Sequence, residues 1–198
     1  VKILNEMDNW SYVRTDTGFL GYISNWKLKD RETVIPDSSF QAPVYESQSL
    51  GERVSLVWHQ VTTADANDNF DSMIEGVKGV NVVAPTWFAL TDNEGNFRSL
   101  ADREYVEKAH ERGLQVWALM DTFSGDVQTE VLLSSTSTRR KLIDALVDEV
   151  LRYDIDGLNL DFESIKPEAG VHYIQFIREL SIECRANVII LSVDNYVP

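Results

Sequence analysis

Cysteine is almost missing from this chain: Cys184 stands alone among 198 residues, so no disulfide can form within it. Its surroundings, Ile182–Arg185, read as helix, where a lone thiol serves as a small buried apolar residue. Histidine is nearly as scarce. His59, His110 and His172 are the only three, and His59 has no second histidine spaced to join it on a metal. His110 is followed by Glu111 without the paired histidines of a metalloprotease helix and reads as a helix-surface residue, whereas His59 is expected to be hydrogen-bonded in a barrel interior. No metal or cofactor is expected. Positive charge is short as well: 18 Lys and Arg face 32 Asp and Glu, for a net charge of −14. That balance disfavours nucleic acid, whose phosphates need a basic surface, and disfavours docking on anionic lipid. A neutral, sugar-like ligand suits it better. No run of about 18 apolar residues exists to span a membrane. The opening VKILNEMDNW lacks the basic start and apolar stretch of a signal peptide. Because Val1 is not an initiator Met, the chain is expected to be cut from something longer.

What is present divides into three stretches. Residues 1–30 read as short β segments, Val1–Leu4, Trp10–Arg14 and Phe19–Ile23, separated by Asp8-Asn9 and Asp16-Thr17-Gly18 turns. Thirty residues cannot bury an independent core, so they are read as the end of a small all-β domain. Residues 31–52 have no helical or strand period and carry Pro36, Pro43 and Gly51; they are read as a linker. From residue 53 onward, apolar runs alternate with amphipathic helices. The predicted strands are Val54–Trp58, Val80–Ala84, Gln115–Met120, Gly157–Phe162 and Val188–Val193. The predicted helices are Phe70–Val77, Leu100–Arg112 with Ser99 and Asp102 as a capping box, Thr138–Tyr153 with Arg139 toward solvent, and Pro167–Arg185 with Ile174, Ile177 and Leu180 on its packed side. Strand starts 26 to 42 residues apart are what parallel βα units require.

A doubly wound fold announces itself with a glycine-rich phosphate loop after its first strand, and Val61-Thr62-Thr63 contains no glycine. The expectation is therefore α/β: a partial (β/α)8 TIM barrel of about strands one to five, with a short N-terminal all-β piece. A complete barrel takes about 250 residues, and 146 remain from Arg53 to Pro198.

The densest chemistry is in Asp156–Glu163, DGLNLDFE. Alternation along a strand puts Gly157, Asn159, Asp161 and Glu163 on one face and Leu158, Leu160 and Phe162 on the other. Asp161 and Glu163 then lie roughly 6–7 Å apart along the strand. Two carboxyls and an amide at the C-terminal end of a parallel strand point to acid–base chemistry. Asp156 faces the opposite way and is expected to satisfy nearby backbone.

This segment resembles the DGxDxDxE signature of family-18 glycoside hydrolases, with Asp156, Gly157, Asp161 and Glu163 matching and Asn159 replacing the middle Asp. The runs RVSLVWHQVT, VVAPTWFALTDNEGNFRSLA, GLQVWALM and LSVDNYVP are similar to bacterial secreted or spore-associated members. WSYVRTDTGFLGYI is similar to the last strands of a bacterial Src-homology-3-like domain. The family's Ser-x-Gly-Gly on strand three is absent; VWALMDTF stands in its place.

The resemblance implies hydrolysis of a β-linked polymer containing N-acetylglucosamine, either peptidoglycan or chitin-like, with substrate assistance in place of an enzyme nucleophile. Glu163 would be the general acid and base. Asp161 would orient the 2-acetamido group, and Asn159 would be its uncharged hydrogen-bonding partner, leaving Asp161 to titrate alone. Trp87 and Tyr196 would be sugar contacts, although Trp87 is equally well placed for the core. The resemblance also implies a secreted, cell-wall or spore location, with the β piece on the cell wall, and negligible turnover by residues 1–198 alone. Two other readings stay open: a silent sugar-binding relative, and a cell-wall interaction module with the barrel as scaffold.

Overall fold

The computed structural model describes residues 1–35, 39, 48–123, 127–163 and 165–195. They fall into two compact units, Val1–Ser47 and Gln48–Pro198. The first is an antiparallel meander of β1 (Lys2–Glu6), β2 (Trp10–Arg14) and β3 (Leu20–Ser24). Ser11, Val13 and Phe19 are its buried residues among those described. Asn25 closes it by accepting from Ser11 Oγ at 2.7 Å and donating to the Met7 carbonyl at 2.7 Å. Trp10, Tyr22 and Trp26 remain exposed. The all-β N-terminal piece expected from the turn signals is therefore present.

The second unit alternates strands and helices. Its strands are β4 (Leu56–His59), β5 (Val82–Pro85), β6 (Phe88–Leu90), β7 (Phe97–Ser99), β8 (Gln115–Asp121), β9 (Gly157–Asp161) and β10 (Ile190–Val193). Its helices are α1 (Phe70–Ile74), α2 (Arg103–Glu111), α3 (Thr129–Ser134), α4 (Thr136–Tyr153) and α5 (Pro167–Ala186). β4, β5, β8, β9 and β10 lie side by side, parallel and in chain order, while β6 and β7 form a hairpin beside β8. Sequential order without reversal excludes the doubly wound arrangement, whose strand order turns back at a switch point.

The sheet's two faces differ in what covers them. Val83, Val116, Ala118, Met120, Leu158 and Leu160 pack into one core with helix residues such as Ile143, Leu146, Phe176 and Leu180. The alternate positions, including Asn159, Asp161 and Asp121, face the other way. That second face is concave. β4 and β9 are separated by two strands, which in a flat sheet would place them about 14 Å apart. Trp58 Nε1 nevertheless donates to Asn159 Oδ1 at 3.1 Å. Only a strongly curled sheet brings those side chains together.

Several elements depart from the sequence expectation. The β6–β7 hairpin occupies residues for which the sequence predicted no element, and it carries Ser99 into a strand. α2 therefore starts later, capped by Asp102, whose side chain accepts from the Tyr105 amide at 2.8 Å. Arg139 is buried rather than solvated, in a bidentate pair with the fully buried Glu179 at 2.8 and 3.0 Å. It also donates to the Leu133 carbonyl, tying α3, α4 and α5 together. Breaking such a pair strands a buried charge and costs about 3–5 kcal/mol. The inward side of α5 is Ala169, Phe176, Leu180 and Cys184, while Ile174 is exposed. His59 is buried and hydrogen-bonded, but on the helix-covered face: its Nδ1 lies 2.9 Å from Tyr105 Oη. His110 is not simply a surface residue, since its Nε2 lies 2.9 Å from Asp156 Oδ2. Asp156 performs the backbone role expected of it by accepting from the Val116 amide at 2.8 Å.

Gly157 is required by contact. A Cβ at this position would sit 2.8 Å from the Ile190 carbonyl oxygen and 2.8 Å from Trp117 Cδ1. Overpacking of this kind costs about 1–3 kcal/mol. Gly157→Ala is therefore predicted to lower stability by roughly that amount, read as a reduced denaturant midpoint at unchanged slope. An unchanged midpoint would show that β8 and β10 have room to move apart.

Candidate active site

β9 presents its polar positions to the concave face one layer at a time, and parallel register supplies the neighbours at each layer. Gly157 pairs with Trp117 and Ile190, Asn159 with Leu119 and Ser192, and Asp161 with Asp121. Asp194 continues the register next to Asp161, its amide donating to the Leu160 carbonyl at 2.9 Å. Three adjacent strands thus bring Asp121, Asp161 and Asp194 to one level, with neighbouring backbones about 4.8 Å apart.

Asn159, one layer below, is fully buried. Its Oδ1 accepts from Trp58 Nε1, and its Nδ2 donates to Ser192 Oγ at 3.3 Å. Among the described residues it makes no hydrogen bond to Asp161, contrary to the expectation of a direct partnership. The two side chains stand two residues apart along the strand, roughly 6–7 Å, whereas Ser192 is level with Asn159 in the register.

Asp161 does not titrate in isolation either. Partial burial pushes its carboxyl above the usual range, and the charges of Asp194, Glu163 and Asp121 push it further the same way. Removing the along-strand carboxyl at position 159 does not leave Asp161 alone, because the neighbouring strands supply others. Asp121 is also raised by burial, opposed by a hydrogen bond from the Phe123 amide at 3.0 Å and by the charge of Arg98 on β7.

Beside this row opens a cavity of about 630 Å³ lined by Asp161, Phe162, Glu163, Ile165, Tyr173, Asp194 and Asn195. Glu163 is exposed at its rim, two residues past Asp161. Phe162 turns to the helix side and stacks on Tyr173 and Phe176, with ring centroids 5.5 and 5.8 Å apart. Burial, then the charges of Asp194 and Asp161, push the Tyr173 hydroxyl up to about 12. The arrangement offers a carboxyl accessible to solvent for proton transfer, and a second, partly desolvated one poised to face developing positive charge. No group of three or more His, Cys, Asp or Glu among the described residues has the geometry to hold a metal ion.

The sequence-predicted residues part company here. Asp161, Glu163 and, just beneath them, Asn159 are brought together. Trp87 is not with them. It is fully buried, edge-on to Tyr105 at 5.0 Å, with Nε1 donating to Asn67 Oδ1 at 2.8 Å. A ring enclosed in this way has no face to offer a sugar, so the core reading of Trp87 is the correct one. Tyr196 lies outside the described residues. Asp121, Asp194 and Tyr173 went unnoticed in the sequence. The first two had a readable signal, since QVWALMD and LSVD each end an apolar strand run on an Asp, as GLNLD does. Tyr173 had none.

Known proteins share this fold. No family model matches the chain. Over 127 residues it is 26% identical to the uncharacterized glycosylase YvbX of Bacillus subtilis (strain 168), an alignment covering 61% of this chain and 36% of that protein. Its fold is similar to that of the spore cortex-lytic enzyme SleL of Bacillus cereus, with a TM-score of 0.60, 18% identity, and coverage of 71% of this chain and 34% of SleL. A chitinase of Chromobacterium violaceum ATCC 12472 gives a TM-score of 0.57, 17% identity, and coverage of 71% and 44%. The chain thus spans less than half the length of each of these proteins. The resemblance to family-18 glycoside hydrolases carried by DGLNLDFE holds in the fold as well.

The raised Asp161 carboxyl has a consequence for stability. The folded state binds this proton more tightly than the unfolded chain, so stability falls as pH rises from the ordinary carboxylate range through the raised folded value. Asp161→Asn removes that penalty. It is predicted to raise the thermal midpoint at pH 7 by on the order of 2 °C, with the gain vanishing near about pH 3, where the unfolded carboxyl is itself protonated. A lower midpoint at pH 7 would show that the Asp161 carboxylate supports the fold.

Proposed function

We propose that residues 48–198 are the substrate-cleaving part of a glycoside hydrolase acting on a β-linked polymer containing N-acetylglucosamine. Peptidoglycan and chitin-like chains both carry the required 2-acetamido group. The observation that carries this reading is the pairing at the open end of β9: an accessible Glu163 and a partly desolvated Asp161 share the rim of one cavity. In this reading the curled five-strand sheet is an arc of a (β/α)8 barrel, whose catalytic groups stand at the C-terminal ends of the strands. The similarity to the glycosylase, the chitinase and the spore cortex-lytic enzyme supports it.

Chemistry follows from the charges. Glu163 protonates the glycosidic oxygen as the bond to the anomeric carbon breaks, leaving Glu163 as a carboxylate. The substrate's own acetamido oxygen closes on the anomeric carbon, so a positive charge develops on the resulting ring. Asp161 accepts from the acetamido N–H and stabilises that charge, more strongly than in water because it is partly desolvated. Glu163 then takes a proton from water, whose oxygen attacks the same carbon as its bond to the acetamido oxygen breaks and the acetamido group is restored. Two displacements at one centre retain its configuration.

For the N-terminal meander we propose contact with the cell wall through its exposed Trp10, Tyr22 and Trp26. Aromatic faces of this kind stack on sugar rings and pack against peptide. A secreted, cell-wall or spore location follows from the same reading. No helix among the described residues is long and apolar enough to cross a membrane.

The test is release of reducing ends from peptidoglycan and from chitin oligomers by the whole protein carrying these residues, with Glu163→Gln beside it. The variant should lose roughly 10²–10⁴-fold in turnover, and the first-formed product should keep the β configuration by NMR. Turnover unaffected in Glu163→Gln, or an inverted product, would overturn the mechanism. Binding of oligomers without any release by the parent protein would favour a silent sugar-binding relative.

A further inference from the structure

Two polar atoms of residues lining the cavity are buried and have no hydrogen-bond partner among the described residues: Tyr173 Oη and Asp194 Oδ2. Leaving such an atom unpaired costs about 1–3 kcal/mol, and a folded chain does not gather two in one place without a compensating use. They come from different elements. Tyr173 reaches in from α5, held by its stack on Phe162, and Asp194 follows β10, held by its amide on the Leu160 carbonyl. Both line the same cavity. Phe162 and Ile165 line the apolar wall beside them, and Glu163, Asp161 and Asn195 complete the lining.

We propose that Tyr173 and Asp194 form a substrate-binding pair for a hydroxyl of the sugar chain, a role resting on the glycosidase reading above. A hydroxyl satisfies both atoms at once: it donates to the Asp194 carboxyl oxygen and accepts from the Tyr173 O–H. An O-acyl or ether group at the same place could accept from Tyr173 but would leave Asp194 without a donor. The pair therefore selects a sugar with a free hydroxyl at this position, with its apolar ring face against Phe162 and Ile165. Cavities of this size with a few convergent polar atoms on an apolar wall are typical of small-ligand sites. No bond is made or broken by the pair. Its contribution is to binding, present equally before and during the reaction.

The experiment is steady-state kinetics on chitin oligomers with the whole protein, comparing the parent with Tyr173→Phe and Asp194→Asn, and a thermal midpoint for each. Tyr173→Phe deletes one oxygen and keeps the ring stack. It should raise KM roughly 3–10-fold, the worth of one neutral hydrogen bond, with kcat unchanged, as expected when an interaction common to ground and transition states is lost. Its thermal midpoint should stay the same or rise, because an unpaired buried hydroxyl has been removed. Asp194→Asn should raise KM by about 10-fold or more, since hydrogen bonds to a charged group are stronger. An unchanged KM in both variants overturns the proposal. So does a drop in the midpoint of Tyr173→Phe, which would show that the hydroxyl serves the fold. The glycosidase reading is judged separately by Glu163→Gln: retained turnover there defeats that reading whatever happens to KM, while lost turnover with unmoved KM in the pair defeats only this inference.

Discussion

A buried primary amide spans the concave face, and the placement of the carboxyls above it depends on that span. Asn159 accepts from Trp58 on β4 and donates to Ser192 on β10, so one side chain links strands on either side of its own. Asn159 itself is fully buried, and losing either bond would leave one of its polar atoms unpaired. The curl of the sheet and the register of β9 with β10 are fixed at the same residue. The next layer up, Asp121, Asp161 and Asp194, inherits that register. An uncharged amide suits the position: it offers a donor and an acceptor without adding a further negative charge beneath three carboxyls.

That economy of charge explains how the site holds together. Like charges on adjacent strands repel, and the row tolerates this through partial burial with a raised Asp161, the Phe123 amide on Asp121, and the nearby guanidinium of Arg98. Glu163 stays at the exposed rim, where proton exchange with solvent is fast. Below, Gly157 lets Trp117 and the Ile190 carbonyl close in, so the floor of the face is packed while its upper edge stays polar. A carboxyl row over a packed floor and an accessible acid at the rim are what a substrate-assisted mechanism needs from β8, β9 and β10.

Strand order and the polar face of β9 were legible because both follow from short-range pattern. Apolar runs at βα spacing defined β4, β5, β8, β9 and β10, and period-two alternation in GLNLD separated the site face from the core face. What could not be read depended on distant partners. Arg139 looks solvated from its helix alone; only the approach of α5, bringing Glu179, makes burial affordable. Ser99 and Asp102 both suit an N-cap, and the β6–β7 hairpin decides between them by claiming Ser99. Trp87 lies near a strand end, as a sugar-stacking residue would, yet Asn67 and Tyr105 enclose it. Asp121 and Asp194 carried a signal in their strand-ending positions, but their nearness to Asp161 is a property of register between strands, which no single segment contains.

Substrate assistance requires the acetamido group of the sugar to sit against Asp161, with Glu163 beside the scissile oxygen. A crystal structure of the protein with a thiazoline analogue of N-acetylglucosamine, which mimics the cyclised intermediate, tests it most directly. The thiazoline ring nitrogen should lie within hydrogen-bond distance of Asp161, with Glu163 next to the anomeric oxygen position and the sugar's far side in the Phe162–Tyr173–Asp194 cavity. An analogue bound away from β9, or held with its thiazoline ring turned from Asp161, would contradict it.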